Sequence, residues 1–96
     1  MAEFVLTKRA EADLYDLALF GLERFGERQV EAYLAELDHV FSLLADHPRM
    51  GRRAEAIAPG VRRHEHRAHV ILYEEMQTGV RILAVIHGSS LSRLTL

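Results

Sequence analysis

The spacing of apolar residues changes character once along this chain, near residue 50. Before it, between residues 8 and 25, the apolar or small residues Ala10, Leu14, Leu17, Ala18, Gly21 and Phe25 recur three and four apart, which predicts an amphipathic helix. Residues 3–7 (EFVLT) predict a short strand ahead of it, and Thr7 is placed to cap the helix. Gly26 ends it, because glycine accepts a left-handed conformation without strain. A second helix is predicted over 27–47, with Val30, Tyr33, Leu34, Leu37, Phe41 and Leu44 as its buried stripe and Pro48 as its stop. So short a link folds the two helices into an antiparallel hairpin. A basic loop, punctuated by Gly and Pro, covers 48–60.

After the loop the period becomes that of strands. An Arg-rich run (61–67) and two β-branched runs (68–73 and 80–86) predict an antiparallel meander, with the Gly-containing segment 74–79 closing a hairpin. The tail alternates Leu91, Arg93 and Thr95 against Ser92, Leu94 and Leu96, which predicts a short edge strand or a segment that orders on binding. Helices followed by strands indicate an α+β fold: an N-terminal strand, an α-helical hairpin, then a three-to-four-stranded antiparallel sheet. The helical pair covers one face and leaves the other partly open.

Length adds that residues 1–96 form a single domain. No run of 18 apolar residues exists, and the first residues lack the basic and apolar regions of a signal segment, so the expected location is cytoplasmic. The absence of cysteine excludes disulfides and thiolate metal sites. A net charge of −2 hides an asymmetry: residues 1–40 carry nine acids and four bases, residues 41–96 five acids and eight bases. All the bases but Lys8 are arginine, the side chain suited to planar recognition of carboxylate or phosphate.

Strict alternation would place Val80, Ile82, Ala84 and Ile86 on the core side of the last strand and Arg81, Leu83, Val85 and His87 on the other. The non-core face would then gather Arg81 and His87 with one or two of Arg62, Arg63 and Arg67, and with His69 or Tyr73. That collection suits an acidic peptide or a polynucleotide. It also raises RNA cleavage, with His87 as base or acid and Arg81 plus Arg62 or Arg63 clamping the phosphate. The plainer alternative is that His87 ends a strand and Arg81 pairs with Glu74 or Glu75. His64, His66 and His69 pose the same choice between a zinc site and surface histidines, and no metal or other cofactor is expected. Glu11, Asp13 and Asp16 are expected on a solvated helix face. Tyr15, Leu19, Phe20 and Leu22 lie off the main stripe of the first helix, so that helix is packed on a second side by the other helix or by a partner.

Several segments together resemble ParE-type toxins of the RelE/ParE superfamily: Leu6-Thr7 with Ala10 and Asp13-Leu14; Phe25-Gly26 with Gln29, Tyr33 and Leu37; His47-Pro48 with Met50-Gly51; Gly60-Val61-Arg62-Arg63; His69-Val70-Ile71-Leu72-Tyr73; and Val80, Ile82-Leu83 and Val85-Ile86-His87. They span nearly the whole chain in family order. The resemblance implies the toxin of a type II toxin–antitoxin pair, held inactive by a ParD-type antitoxin whose acidic C-terminal segment folds onto it. It implies poisoning of DNA gyrase by binding, with no catalytic residue and no direct DNA contact except through the antitoxin. Antitoxin contacts are expected at Tyr15, Leu19, Leu22, Tyr33, Arg62, Arg63 and Arg81, and target contacts at His87, Leu91 and Arg93. Relatives in the RelE branch instead cut mRNA in the ribosome, which is the alternative function. A non-toxic partner in transcriptional autoregulation is the third. The chain departs from the ParE pattern after His87, where Gly88-Ser89 replaces a common Met-Asp pair and only Arg93-Leu94 matches the family ending.

Overall fold

The computed structural model describes residues 2–94. Its elements run β1 (Glu3–Leu6), α1 (Lys8–Phe25), α2 (Glu27–Asp46), a 3-10 turn at Pro48–Met50, β2 (Arg52–Arg53), β3 (Val61–His66), β4 (His69–Met76), β5 (Gly79–His87) and a second 3-10 turn at Gly88–Arg93. The α+β class and the order of strand, helical hairpin and sheet agree with the sequence reading. The sheet itself differs in two ways. It has five strands, in the order β1-β5-β4-β3-β2, and it is mixed, because β1 runs parallel to β5 while the other pairs are antiparallel. The two-residue β2 lies within the expected loop. The tail forms a 3-10 turn where an edge strand was one expectation, and Thr95 and Leu96, the rest of that strand, lie outside the described residues.

Local signals act as read. The Thr7 hydroxyl oxygen accepts the Ala10 N–H at 3.0 Å and caps α1. Gly26 breaks the helices apart at φ 89°. At Gly79 the parallel pairing of β1 makes a second demand. Glu3 lies beside it, and a Cβ there would collide with the Glu3 carbonyl. The hairpin therefore ends in glycine for the sake of the neighbouring strand as well as for its own φ of 148°.

The decisive departure is in β5. Its register against β4 runs Tyr73 to Ile82 and then Leu72 to Ala84, so Leu83 is an extra residue, a β-bulge. One inserted residue exchanges the faces of everything that follows it. Val80, Ile82 and Val85 therefore pack with Ile71, Tyr73, Leu37, Phe41 and Leu44 under the helices, while Ala84 and Ile86 pack on the opposite face with Val61, Val70 and Leu72. The expected core side of Val80, Ile82, Ala84 and Ile86 is thus split between two layers. The second face is not open either. Ile57 and Ala58 of the long loop and Leu91 and Leu94 of the tail lie over it.

The bulge also explains Asp13, which is not on a solvated face. Beyond Leu6 the strand β1 ends and the outer edge of β5 needs partners. Thr7 supplies two: its N–H donates to the Ile82 carbonyl at 3.1 Å and its hydroxyl donates to the Leu83 carbonyl at 3.0 Å. Asp13 Oδ2 then accepts the Val85 N–H at 2.9 Å. The first turns of α1 thereby complete a strand edge that would otherwise leave buried polar groups unpaired.

Candidate docking site

On α1 the residues Tyr15, Leu19 and Leu22 fall at i, i+4 and i+7 and form one stripe. They remain 65%, 46% and 45% exposed, far more than side chains committed to a core. Beside the stripe an apolar cleft of about 380 Å³ opens between β1, α1 and α2, walled by Phe4, Leu14, Tyr15, Ala18, Leu34 and Leu37. Phe20 is also exposed but lies about 100° around the helix from Leu19. The Arg24 guanidinium sits 4.7 Å from the centre of its ring. The exposed apolar surface of α1 thus has two flanks, one running from Tyr15 at the cleft through Leu19 and Leu22, the other at Phe20.

Tyr33, expected beside that stripe, does not line the cleft. Its hydroxyl reaches the other way, to His69 Nδ1 at 2.7 Å and the His66 carbonyl at 3.4 Å. It belongs to a polar cluster at the far end of the sheet. There His66 Nε2 meets Glu36 at 2.9 Å, and Arg67 grips the same carboxylate through two nitrogens, at 2.9 and 3.2 Å. The Arg67 bond, then the His66 bond, hold Glu36 below the usual carboxylate range. Burial pushes the Tyr33 hydroxyl up. Burial, and then the imidazoles of His87 and His66, push His69 down, so it is a neutral ring. The rings of His69 and His87 are 5.7 Å apart, edge to face, and His87 Nδ1 lies 2.7 Å from Ser89 Oγ.

The expected gathering of arginines and His87 on one open face does not occur. Arg62 pairs across to Tyr73 and lies on the helix side, where it donates to the Gly51 carbonyl at 2.8 Å. Arg63, one residue on, lies on the opposite face and meets Glu65 at 3.0 Å, while Arg52 pairs with that same carboxylate. Although burial raises Glu65, these two arginines hold it below the usual carboxylate range. Arg81 donates to Glu74 at 2.7 Å. The bulge places Arg81 and His87 on opposite faces, and six residues of strand separate them by about 20 Å. Tyr73 is wholly buried on the helix side; its hydroxyl donates to the Pro48 carbonyl at 2.7 Å and accepts the Gly51 N–H at 2.8 Å. Burial raises the hydroxyl's pKa. In the tail Leu91 packs on the second face and Arg93 is exposed. His64 and His66 share the helix-side face, as strand period predicts, and among the described residues no three His, Asp or Glu side chains are grouped to hold a metal.

Sequence reasoning missed two cations, Arg49 and Arg53, that have no partner among the described residues. Both line a cleft of about 570 Å³ at the β2 edge, together with Arg62. Their only sequence signal was the basic character of the loop.

A helical hairpin laid on a mixed five-stranded sheet, with an apolar cleft left open beside it, defines a small α+β protein whose first helix keeps a surface uncovered. The profile of a family described as the ParE toxin of the type II toxin–antitoxin system parDE matches residues 4–91, and the chain belongs to that family. It is 36% identical to toxin ParE1 of Caulobacter vibrioides over 95 residues, covering 97% of this chain and 96% of that protein. It is 31% identical to toxin ParE1 of Mycobacterium tuberculosis over 87 residues, covering 90% and 89%. Its fold matches a chain of the chromosomal ParDE system of P. aeruginosa with a TM-score of 0.75, at 18% identity, over 91% of this chain and 96% of that one.

Proposed function

We propose that this toxin is neutralised by a ParD-type antitoxin that lays an amphipathic helix along Tyr15, Leu19 and Leu22 and fills the neighbouring cleft, and that the toxin acts on DNA gyrase by binding. The observation that carries the antitoxin reading is the stripe itself: three large apolar side chains, about half exposed, of which Tyr15 also lines an apolar cleft, in a member of the ParE family. Helix-in-groove recognition reads out apolar anchors at this i, i+4, i+7 spacing. The gyrase reading rests on family membership. In keeping with it, the histidine–arginine pair expected to cut RNA is not assembled, because Arg81 is tied to Glu74 on the far face.

A ribonuclease reading draws on one different observation. Neutral His69 stands beside His87, so two imidazoles adjoin at one end of the sheet. Proton transfer alone does not clamp a phosphate, and Arg67, the guanidinium of that cluster, is engaged by Glu36.

Induction of the toxin without its antitoxin separates these readings. The gyrase reading expects filamentation with DNA-damage signalling and undamaged transcripts. A rapid stop in translation with cleaved mRNA, lost in His69→Ala and His87→Ala, would replace it with the nuclease reading.

A further inference from the structure

We propose that His69 and His87 together form a binding site for a late first-row divalent cation such as zinc, with their two Nε2 atoms as its protein ligands.

Strand pairing sets the two side chains together. His69 and His87 lie directly opposite one another on β4 and β5, so both imidazoles rise from the same face, and their ring centres are 5.7 Å apart. Two imidazoles on one tetrahedral ion, with metal–nitrogen bonds of about 2.0–2.1 Å, have ring centres roughly 5 Å apart. The rings therefore need to close by less than about 1 Å. That adjustment falls to His87, which is exposed and is the last residue of β5 before the tail.

Each ring is already held at its other nitrogen. His69 Nδ1 lies 2.7 Å from the Tyr33 hydroxyl, which has the His66 carbonyl as an acceptor of its own at 3.4 Å. The Tyr33 oxygen is thus free to accept the proton of Nδ1. His87 Nδ1 lies 2.7 Å from Ser89 Oγ and 3.2 Å from the Ser89 N–H. With a cation on Nε2 the shorter contact is a donation from Nδ1 to Oγ, and the longer one is given up. A histidine fixed in this way through one nitrogen presents the lone pair of the other to a metal. Neither Nε2 has a partner among the described residues. That of His69 reaches solvent although its ring is half-buried, because Arg63 Nε is the one sealed, unpaired side-chain nitrogen or oxygen among those residues.

The neighbouring donors are committed elsewhere. His64 and His66 were the pair suggested by the sequence, but His66 Nε2 meets Glu36, and Arg67 holds both oxygens of that carboxylate. Two imidazoles remain, with solvent to complete the shell. Such a donor set suits zinc, copper or nickel, and not magnesium or calcium, which take oxygen ligands. A bound ion occupies both imidazole lone pairs, so the pair cannot serve as acid and base while it is loaded.

The test is a zinc titration of the full chain, read by proton–nitrogen correlation spectra of the imidazoles, with magnesium as the control. The expected result is saturable shifts at Nε2 of His69 and His87, half-complete below about 100 µM zinc, and none with magnesium. His87→Ala, at an exposed position, should weaken binding by about tenfold or more, His69→Ala likewise, and His64→Ala should leave it unchanged. If His69→Ala does not fold, His87→Ala decides alone. No saturation in that range, equal binding by His87→Ala, or shifts centred on His39, His47 or His64, the mark of an adventitious ion only, would overturn the proposal.

Discussion

The exposed stripe of α1 makes a graded, face-specific prediction for antitoxin affinity. Complete burial of a leucine side chain is worth about 1.5–3 kcal/mol. Leu19 is already half covered in the free toxin, so a partner can gain only about half of that, roughly 1 kcal/mol. Leu19→Ala should therefore raise Kd about fivefold, and Tyr15→Ala, which removes a larger and more exposed side chain, about tenfold or more. Leu19→Asp also buries a carboxylate without a partner and should cost a further ~2 kcal/mol at least, or about 100-fold in all. Phe20 supplies the control. It is 55% exposed, as apolar as its neighbours and adjacent to Leu19 in sequence, yet it faces away from the cleft and beneath Arg24. Phe20→Ala should leave Kd within about twofold. Isothermal titration calorimetry of purified toxin variants against the antitoxin measures all four, with thermal unfolding as the check that each toxin is folded. If Phe20→Ala weakens binding as much as Leu19→Ala, the antitoxin lies on the other flank of α1 and the cleft is not its seat.

Three further predictions concern the scaffold. Tyr73→Phe removes the hydroxyl that serves Pro48 and Gly51 inside the core and should cost about 2–4 kcal/mol of stability, read as a lower urea midpoint with an unchanged slope. Asp13→Ala leaves the Val85 N–H unpaired and should cost about 1–3 kcal/mol and speed exchange of that amide, whereas Asp13→Asn, which keeps a carbonyl acceptor, should lose less. His69 is depressed in the folded chain, in the company of His66, His87, Arg67, Glu36 and Tyr33. As pH falls through about 6.5 the unfolded chain takes up the proton first, so its contribution to stability is complete above that pH and declines below it. His69→Gln should flatten the fall in urea midpoint between pH 7 and 5, and an unchanged slope against pH would refute the assignment.

What the sequence made legible was local. Thr7 as cap, Gly26 as break and Pro48 as stop each act through their own backbone, so the helices fall where the periodicity puts them. The open stripe was legible too, because Tyr15, Leu19 and Leu22 sit off the buried face of α1 whatever packs beneath it. Parallel pairing of β1 was not, since nothing within residues 3–6 specifies a partner 76 positions away, at Gly79–Ile82. Nor was Tyr33's direction, which is decided by a histidine 36 residues further along the chain.

The misplacement of His87 relative to Arg81 traces to a parity error of one residue. Alternation is a reliable guide to strand faces only while the register is unbroken, and Leu83 breaks it without any glycine or proline to mark the place. The bulge is stabilised from outside the strand: Thr7 takes the carbonyl of the inserted Leu83 and Asp13 the Val85 N–H two residues on. Its supports therefore lie in the cap and second turn of α1, more than 70 residues earlier. Its consequence is chemical. With strict alternation His87 would share a face with Arg81 and with Arg63 of β3, an arrangement suited to a phosphodiester. With the bulge His87 joins His69 and Tyr33 beside α2, while Arg81 stays on the opposite face, paired with Glu74.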